Sequence, residues 1–414
     1  MTNLATFILG LYLGLSPVYW WPGVSPRTFA AFKFLLVFTG VLVVWVKVLI
    51  NGQLALPRGL LGPFGFILLL VASIGGIAQC DISVSFIRIK DYLLSFVMLW
   101  TFFVYQRNGN DASRVFLIAG FILAAHCFLV VVSKVAGVPR WSGPREFVAP
   151  ELWVSGFGSL RTGWSNASAL FVPVLAAYFL DVYKRSAAVR IGALLALVSI
   201  VGSQLVVAGK AGILASLISI PMMLMMIPER RKLLVVYLVI VVLASVGLAG
   251  YMYKSMSLEQ VQQQKQAMNK LDKFSAGRVS SDLKALELAA DRPFQGYGFG
   301  NFTFKGTAIH NLWIRLLVDS GLFLPLILCL IVFVIFRILW RNRLEYCSSL
   351  TFRTSDEERR PTLIYYYGSN VIMLGILISM LEPSFILGAF QPSAVWWAVA
   401  GAGVALGTRY KAEG

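Results

Sequence analysis

One histidine stands where chemistry at a membrane surface would be placed. Between Tyr253 and Leu312 a series of apolar runs is interrupted by one long polar stretch, which ends in Ile309-His310-Asn311 and holds one of the chain's two histidines. An imidazole titrates near neutral pH and can take a proton from a hydroxyl, so His310 is the candidate general base. The second histidine, His126, lies inside an apolar run beside Cys127 and reads as a packed helix-interface residue. A second group of residues is notable for its charge. Arg88 and Lys90, Arg161, Lys210 and Arg278 carry positive charge near the ends of apolar runs, where cations are costly and commonly mark a ligand or pathway. Each alone can extend its head to lipid headgroups. Several converging on one face would instead suit a polyanion, because Arg grips phosphate oxygens through a planar fork and Lys acts as a point charge.

The elements that must position these residues are membrane helices. Apolar residues make up 58% of the chain and charged residues 13%, about half the charged fraction of a soluble domain. The apolar runs are continuous and do not alternate with period two, which argues against a transmembrane barrel and for helices of about 20 residues. About twelve spans are predicted, beginning near Asn3, Thr28, Leu60, Asp91, Val115, Trp164, Ile191, Ala211, Leu233, Leu312, Leu363 and Pro392. The division is residues 1–253 with nine spans, a loop over 254–311, and residues 312–414 with three more. The first Lys or Arg is Arg27, so the opening segment lacks a basic n-region and reads as a span, not a cleavable signal.

The formal net charge is +17. In a soluble protein that would point to nucleic acid; here it reads as the basic bias of cytoplasmic loops. Clusters at Lys184-Arg185 with Arg190, at Glu229-Arg230-Arg231-Lys232, and from Arg337 to Arg360 fall on alternate loops. They place both termini inside and the 254–311 loop outside, toward a periplasm or the cell exterior. Cys80, Cys127, Cys329 and Cys347 show no paired spacing, and no Cys-x-x-Cys, His-x-x-x-His or Asp-x-Asp occurs. The expectation is chemistry without a metal or other cofactor.

Within the loop, Leu258, Val261, Met268 and Leu271 share one helical face of a Gln- and Lys-rich stretch, which fits either an amphipathic helix on the membrane surface or a solvated connector. Ser280-Ser281-Asp282 supply N-cap chemistry for a second helix whose stripe of Leu283, Leu286 and Ala290 stops at Arg292-Pro293, with Arg278 just before its start. Gly296-Tyr297-Gly298-Phe299-Gly300 has no preceding strand and reads as a backbone turn. The span from Leu312 to Trp340 would be about 29 residues, roughly 43 Å, and would stand proud of the bilayer or tilt. On it Arg315 and Asp319 are spaced to pair, and Asp319 could also orient His310.

Several of these segments together resemble the O-antigen ligase and polymerase family. They are Arg161-Thr162-Gly163 with Asn166, Gly209-Lys210-Ala211-Gly212, and Asp291-Arg292-Pro293-Phe294-Gln295-Gly296-Tyr297-Gly298 leading to His310-Asn311 and Asp319-Ser320-Gly321-Leu322. The likeness covers roughly residues 160 to 335. It implies an all-α polytopic bundle similar to the C class of membrane glycosyltransferases, with one large periplasmic loop. It further implies a metal-independent, inverting transfer of polysaccharide from undecaprenyl pyrophosphate to lipid A-core oligosaccharide at the periplasmic face of a bacterial inner membrane. His310 would hold the essential histidine position, Arg161, Lys210, Arg278 and Arg88 would bind the pyrophosphate, and Asn311, Asp319 and Asn166 would support them. The family often carries Arg where this chain has Lys210, so the charge is kept and the bidentate fork is lost. A polymerase would use the same donor with another carrier-linked repeat as acceptor. A lipid-linked sugar transporter would also want a basic cavity, but it would be expected to show repeated halves, which the sequence lacks.

Overall fold

Apolar runs bounded by Ser, Asn, Gly and Pro fold here into helices packed side by side. The computed structural model describes residues 2–19, 21, 23–52, 54–136, 161–180, 187–207, 209–224, 278–299, 309, 311–352, 363–380 and 393–409. Among these there is no β-strand. The helices are α1 Thr2–Leu15, α2 Pro26–Ile50, α3 Pro63–Ala72, α4 Ile74–Ala78, α5 Ile82–Arg107, α6 Ala112–Val135, α7 Arg161–Ala169, α8 Phe171–Phe179, α9 Ala187–Val206 and α10 Lys210–Leu224. They continue with α11 Arg278–Asp291, α12 Leu312–Ser320, α13 Phe323–Phe352, α14 Ile364–Ser379 and α15 Ser393–Arg409. Among the described residues, four helical stretches are long and apolar enough to cross a membrane: α2, α6, α9 and residues Phe323–Asn342 of α13. The predicted ninth span, near Leu233, and the amphipathic stretch 258–271 lie outside the described residues.

Packing fixes the direction of each helix. Gly10 and Gly14 of α1 lie against Ile118 and Ile122 of α6, so these two run parallel. Gly192 and Gly202 of α9 meet Phe121 and Val131, which sets α9 parallel to α6 as well. The Thr6 hydroxyl near the start of α1 bonds to that of Tyr105 near the end of α5, and α5 therefore runs the other way. Phe96 packs on Trp397 and Leu99 on Gly401, aligning α15 with α5. One end of the bundle, called the upper end below, thus gathers the ends of α1, α6 and α9 and the starts of α5, α7, α10 and α15. Aromatic side chains fill the interior. Trp164, Trp396, Trp397, Tyr92, Phe96 and Phe102 are fully buried, and such rings combine large apolar area with edge or offset stacking.

Three predicted spans are divided. The third breaks at Ser73 into α3 and α4, and the sixth at Leu170 into α7 and α8. The long tenth becomes α12 and α13, because Gly321 adopts φ +80° and ends α12. The predicted overhang of that span is thus resolved by a separate nine-residue helix ahead of the crossing. The fourth begins at Ile82, not near Asp91, which puts Arg88 in the second turn of α5 and Lys90 in the third, no longer its preface. Similarly α11 begins at Arg278, so Ser280, Ser281 and Asp282 lie in its first turns and do not cap it.

Candidate functional site

The turn that follows α11 is the keystone of the upper end. Gly296 and Gly298 take φ of +65° and +93°, a region open to glycine and costly for residues with a Cβ. That backbone turns its N–H groups onto neighbouring helices. Tyr297 N donates to Val318 O at 2.8 Å and Gly298 N to Asp319 O at 2.9 Å, satisfying carbonyls at the C-terminus of α12. Phe299 N donates to Gly76 O of α4, and Leu322 N returns a bond to Pro293 O. The Gln79 side chain donates to Gln295 O and accepts from Arg292, whose guanidinium also covers the Tyr297 ring at 4.8 Å. A Cβ on Gly296 would lie 2.5 Å from Ser320 N, and one on Gly321 would lie 2.5 Å from Phe294 C. The predicted backbone turn is therefore a close-packed joint between α4 and α12.

Asn311 supplies the other end of that joint. Its side-chain oxygen accepts from Trp313 N at 2.9 Å and Ile314 N at 3.3 Å, an N-cap for α12. Trp313 Nε1 donates to Ser379 Oγ at the end of α14, bringing α14 to the upper end as well. Ile309 is buried with Ala285, Ala289 and Val318. The small residues of α11 thus face α12, while the predicted stripe of Leu283 and Leu286 is exposed. His310 itself lies outside the described residues; the residues on either side of it are anchored, one by burial and one by capping.

Arg88 and Asp319 both stand at this joint, each in contact with a different partner. The Arg88 guanidinium lies 5.7 Å over the face of Phe299, which is fully buried and edge-on to Tyr92. Asp319, 4% exposed, pairs with Arg315 at 3.5 Å as its spacing predicted. Burial pushes the Asp319 carboxyl up to about 6, opposed by the positive charges of Arg315 and Arg88. Desolvation wins because a carboxylate stripped of water loses more than one loosely spaced ion pair returns. The carboxylate thus feels the charge of Arg88 as well as that of its partner Arg315, and the sequence spacing revealed only the second.

Arg161 and Lys210 are brought together at a second joint. They are the first residues of α7 and α10. Ser165 Oγ donates to Gly209 O at 2.9 Å, and a Cβ on Gly212 would lie 2.2 Å from Ser165 Oγ, so the first turns of the two helices touch. Both helices run down from the upper end, and the N-terminus of α10, just after Gly209, gives a region of positive partial charge. Asn166 is buried in α7, and its amide oxygen has no hydrogen-bond partner among the described residues. Arg278 begins α11, and Ala285 of that helix packs with Val318 of α12.

Four residues have roles that the sequence did not disclose. Phe299 underlies Arg88, Gly76 receives the turn, and Gln204 joins α7, α9 and α10. The fourth, Lys33, is a buried cation whose Nζ donates to Val18 O at 2.6 Å and Ser16 O at 3.4 Å, closing the end of α1. The adjacent Gly75-Gly76 pair inside an apolar run was the available signal for a close backbone approach. His126 is buried against Trp21, as its place in an apolar run predicted. Among the described residues no three His, Cys, Asp or Glu side chains cluster in a way that would hold a metal ion. No protein-family model matches the chain, and no curated protein matches it.

Proposed function

We propose that the chain is a membrane glycosyltransferase that moves a polysaccharide from undecaprenyl pyrophosphate to lipid A-core oligosaccharide at the periplasmic face of a bacterial inner membrane. The observation that carries this reading is the gathering of three basic positions, Arg88, Arg161 and Lys210, at the end of the bundle where the joint of α4, the glycine turn and α12 anchors both neighbours of His310. Basic positions at the end of membrane helices where a titratable residue is also carried are what a lipid-linked pyrophosphate donor requires.

In the proposed reaction an acceptor hydroxyl oxygen attacks the anomeric carbon, giving its proton to the neutral His310 imidazole. The bond from that carbon to the pyrophosphate oxygen breaks, and the electron pair leaves with undecaprenyl pyrophosphate. Attack opposite the leaving group inverts the anomeric centre. Arg88, Arg161, Lys210 and Arg278 stabilise the departing charge, a task that fixed cations in a water-poor site can perform. Asp319, ionised above about pH 6, balances Arg315, while the Phe299 ring holds Arg88 at this end of the bundle. The isoprenoid tail lies between helices in the bilayer and supplies orientation through binding remote from the reacting bond.

Disruption of the gene tests this directly in cells. Polymer accumulating on the carrier lipid, with surface lipopolysaccharide reduced to lipid A-core, is the expected result. Single repeats reaching the surface would assign the same chemistry to a polymerase. Unchanged surface polysaccharide would refute both.

A further inference from the structure

We infer that Gln204 is a positioning residue that fixes the axial register of α10 against α7, and so the spacing between Lys210 and Arg161. The inference rests on the reading of those two cations as part of the donor clamp. Gln204 lies near the end of α9 and is fully buried. Its Nε2 donates to Ser168 Oγ at 3.1 Å and to Ser165 O at 3.3 Å, both on α7. Its Oε1 accepts from Ser216 Oγ of α10 at 2.9 Å. One amide therefore spans three helices, with both ends of the side chain engaged.

An amide at such a depth is costly unless bonded, so its presence calls for a reason. The contact it supports is smooth. Gly212 and Ser165 let the α7 and α10 backbones meet almost directly, and small residues of this kind allow approach without preventing one helix from sliding along the other. Directional hydrogen bonds oppose sliding where apolar contact does not. Neighbouring bonds run the same way: Trp164 Nε1 donates to Ser203 Oγ at 2.8 Å, fixing α7 to α9 in the same layer. The cluster lies one to two turns below the helix starts, so a slip there carries Arg161 and Lys210 apart by the same amount. A pyrophosphate is a small anion, and misplacing its partners by about 1 Å can cost on the order of 100-fold in turnover, with a smaller loss in binding.

The test combines Gln204→Met with Ser168→Ala and Ser216→Ala, so that no hydroxyl is left without its amide. Spin labels at positions 161 and 210 report the spacing, and binding of undecaprenyl pyrophosphate to chains that retain Arg161 and Lys210 reports the clamp. With melting in detergent close to that of the parent, the label distance should move by at least about 1.5 Å, one residue's rise. The dissociation constant should increase roughly tenfold. Unchanged distance in a folded variant overturns the inference and leaves the proposed function standing. A changed distance with unchanged binding shows instead that the two cations do not hold the donor, and removes the premise. If the triple variant does not fold, Gln204→Glu serves: its carboxylate still accepts from Ser216 but no longer donates to Ser165 or Ser168. An unchanged label distance in that variant likewise overturns the assignment.

Discussion

The two joints at the upper end are built from opposite materials. Where α4, the glycine turn and α12 meet, main-chain groups do the binding: Tyr297, Gly298 and Phe299 donate N–H bonds to carbonyls of α12 and α4, and Asp319 with Arg315 forms a charged pair beside them. Where α7, α9 and α10 meet, uncharged side chains do it, through Ser165, Ser168, Gln204 and Ser216. A backbone joint depends on conformations few residues can adopt, so it resists movement and tolerates little substitution. A side-chain joint in an apolar layer depends on individual bonds averaging roughly 0.6 kcal/mol in membrane proteins, so it yields gradually. The rigid joint holds both sequence neighbours of the proposed base, and the yielding one joins the helices that begin with two proposed phosphate ligands.

The largest expected effect exploits the rigid joint. Because Ile309 and Asn311 are held by burial and capping, His310→Ala should fold as the parent does and lose about 100-fold or more in turnover, measured as transfer per mole of monomeric protein in detergent. Loss of folded protein along with activity would mark His310 as a structural residue. Next comes the joint itself. Gly321→Ala places a Cβ where φ is +80° and Phe294 C lies 2.5 Å away. It should cost about 2 kcal/mol or more, read as a clear fall in melting temperature. Gly212→Ala, which also meets a tight contact at normal φ, should melt higher than Gly321→Ala if the α7–α10 joint is the more yielding of the two.

These contrasts bear on what the sequence could disclose. Alternating glycines at 296, 298 and 300 announced a turn, and Arg315 with Asp319 announced a pair, since both are local patterns with fixed spacing. The break of the tenth span at Gly321 was not legible. An apolar run reads the same whether straight or divided, and the cause of the break is the Pro293 carbonyl awaiting Leu322 N from a distant part of the chain. Arg88 was noticed as a costly cation but not its ring, because nothing local links residue 88 to Phe299. Gln204 and the serines around it look like ordinary tolerated polar residues in a span; only the packing of three helices shows that they satisfy one another.

Smaller effects separate charge from geometry. Arg88→Ala should weaken binding of undecaprenyl pyrophosphate by roughly tenfold, the scale of one charge-assisted contact. Lys210→Ala should do likewise, with Lys210→Arg closer to the parent because the charge survives. The smallest effect concerns Asp319. Its folded-state carboxyl is raised to about 6, above its unfolded value, so the native state binds this proton more tightly. This contribution to stability is greatest in acid and is lost as pH rises from about 4 toward 6. Parent protein should show that decline in melting temperature, superimposed on all other titrations, and Asp319→Asn should lack it. Identical pH profiles would show that the carboxyl titrates normally.

The central claim is that fixed cations and a histidine at this end of the bundle use a lipid pyrophosphate donor. Purified chain reconstituted into liposomes with undecaprenyl-pyrophosphate-linked polysaccharide, lipid A-core oligosaccharide and excess EDTA tests it most directly. The account predicts polymer joined to lipid A-core, release of undecaprenyl pyrophosphate in equal amount, and neither product with His310→Ala. Transfer abolished by EDTA and restored by Mg²⁺, or full activity from folded His310→Ala protein, would contradict it.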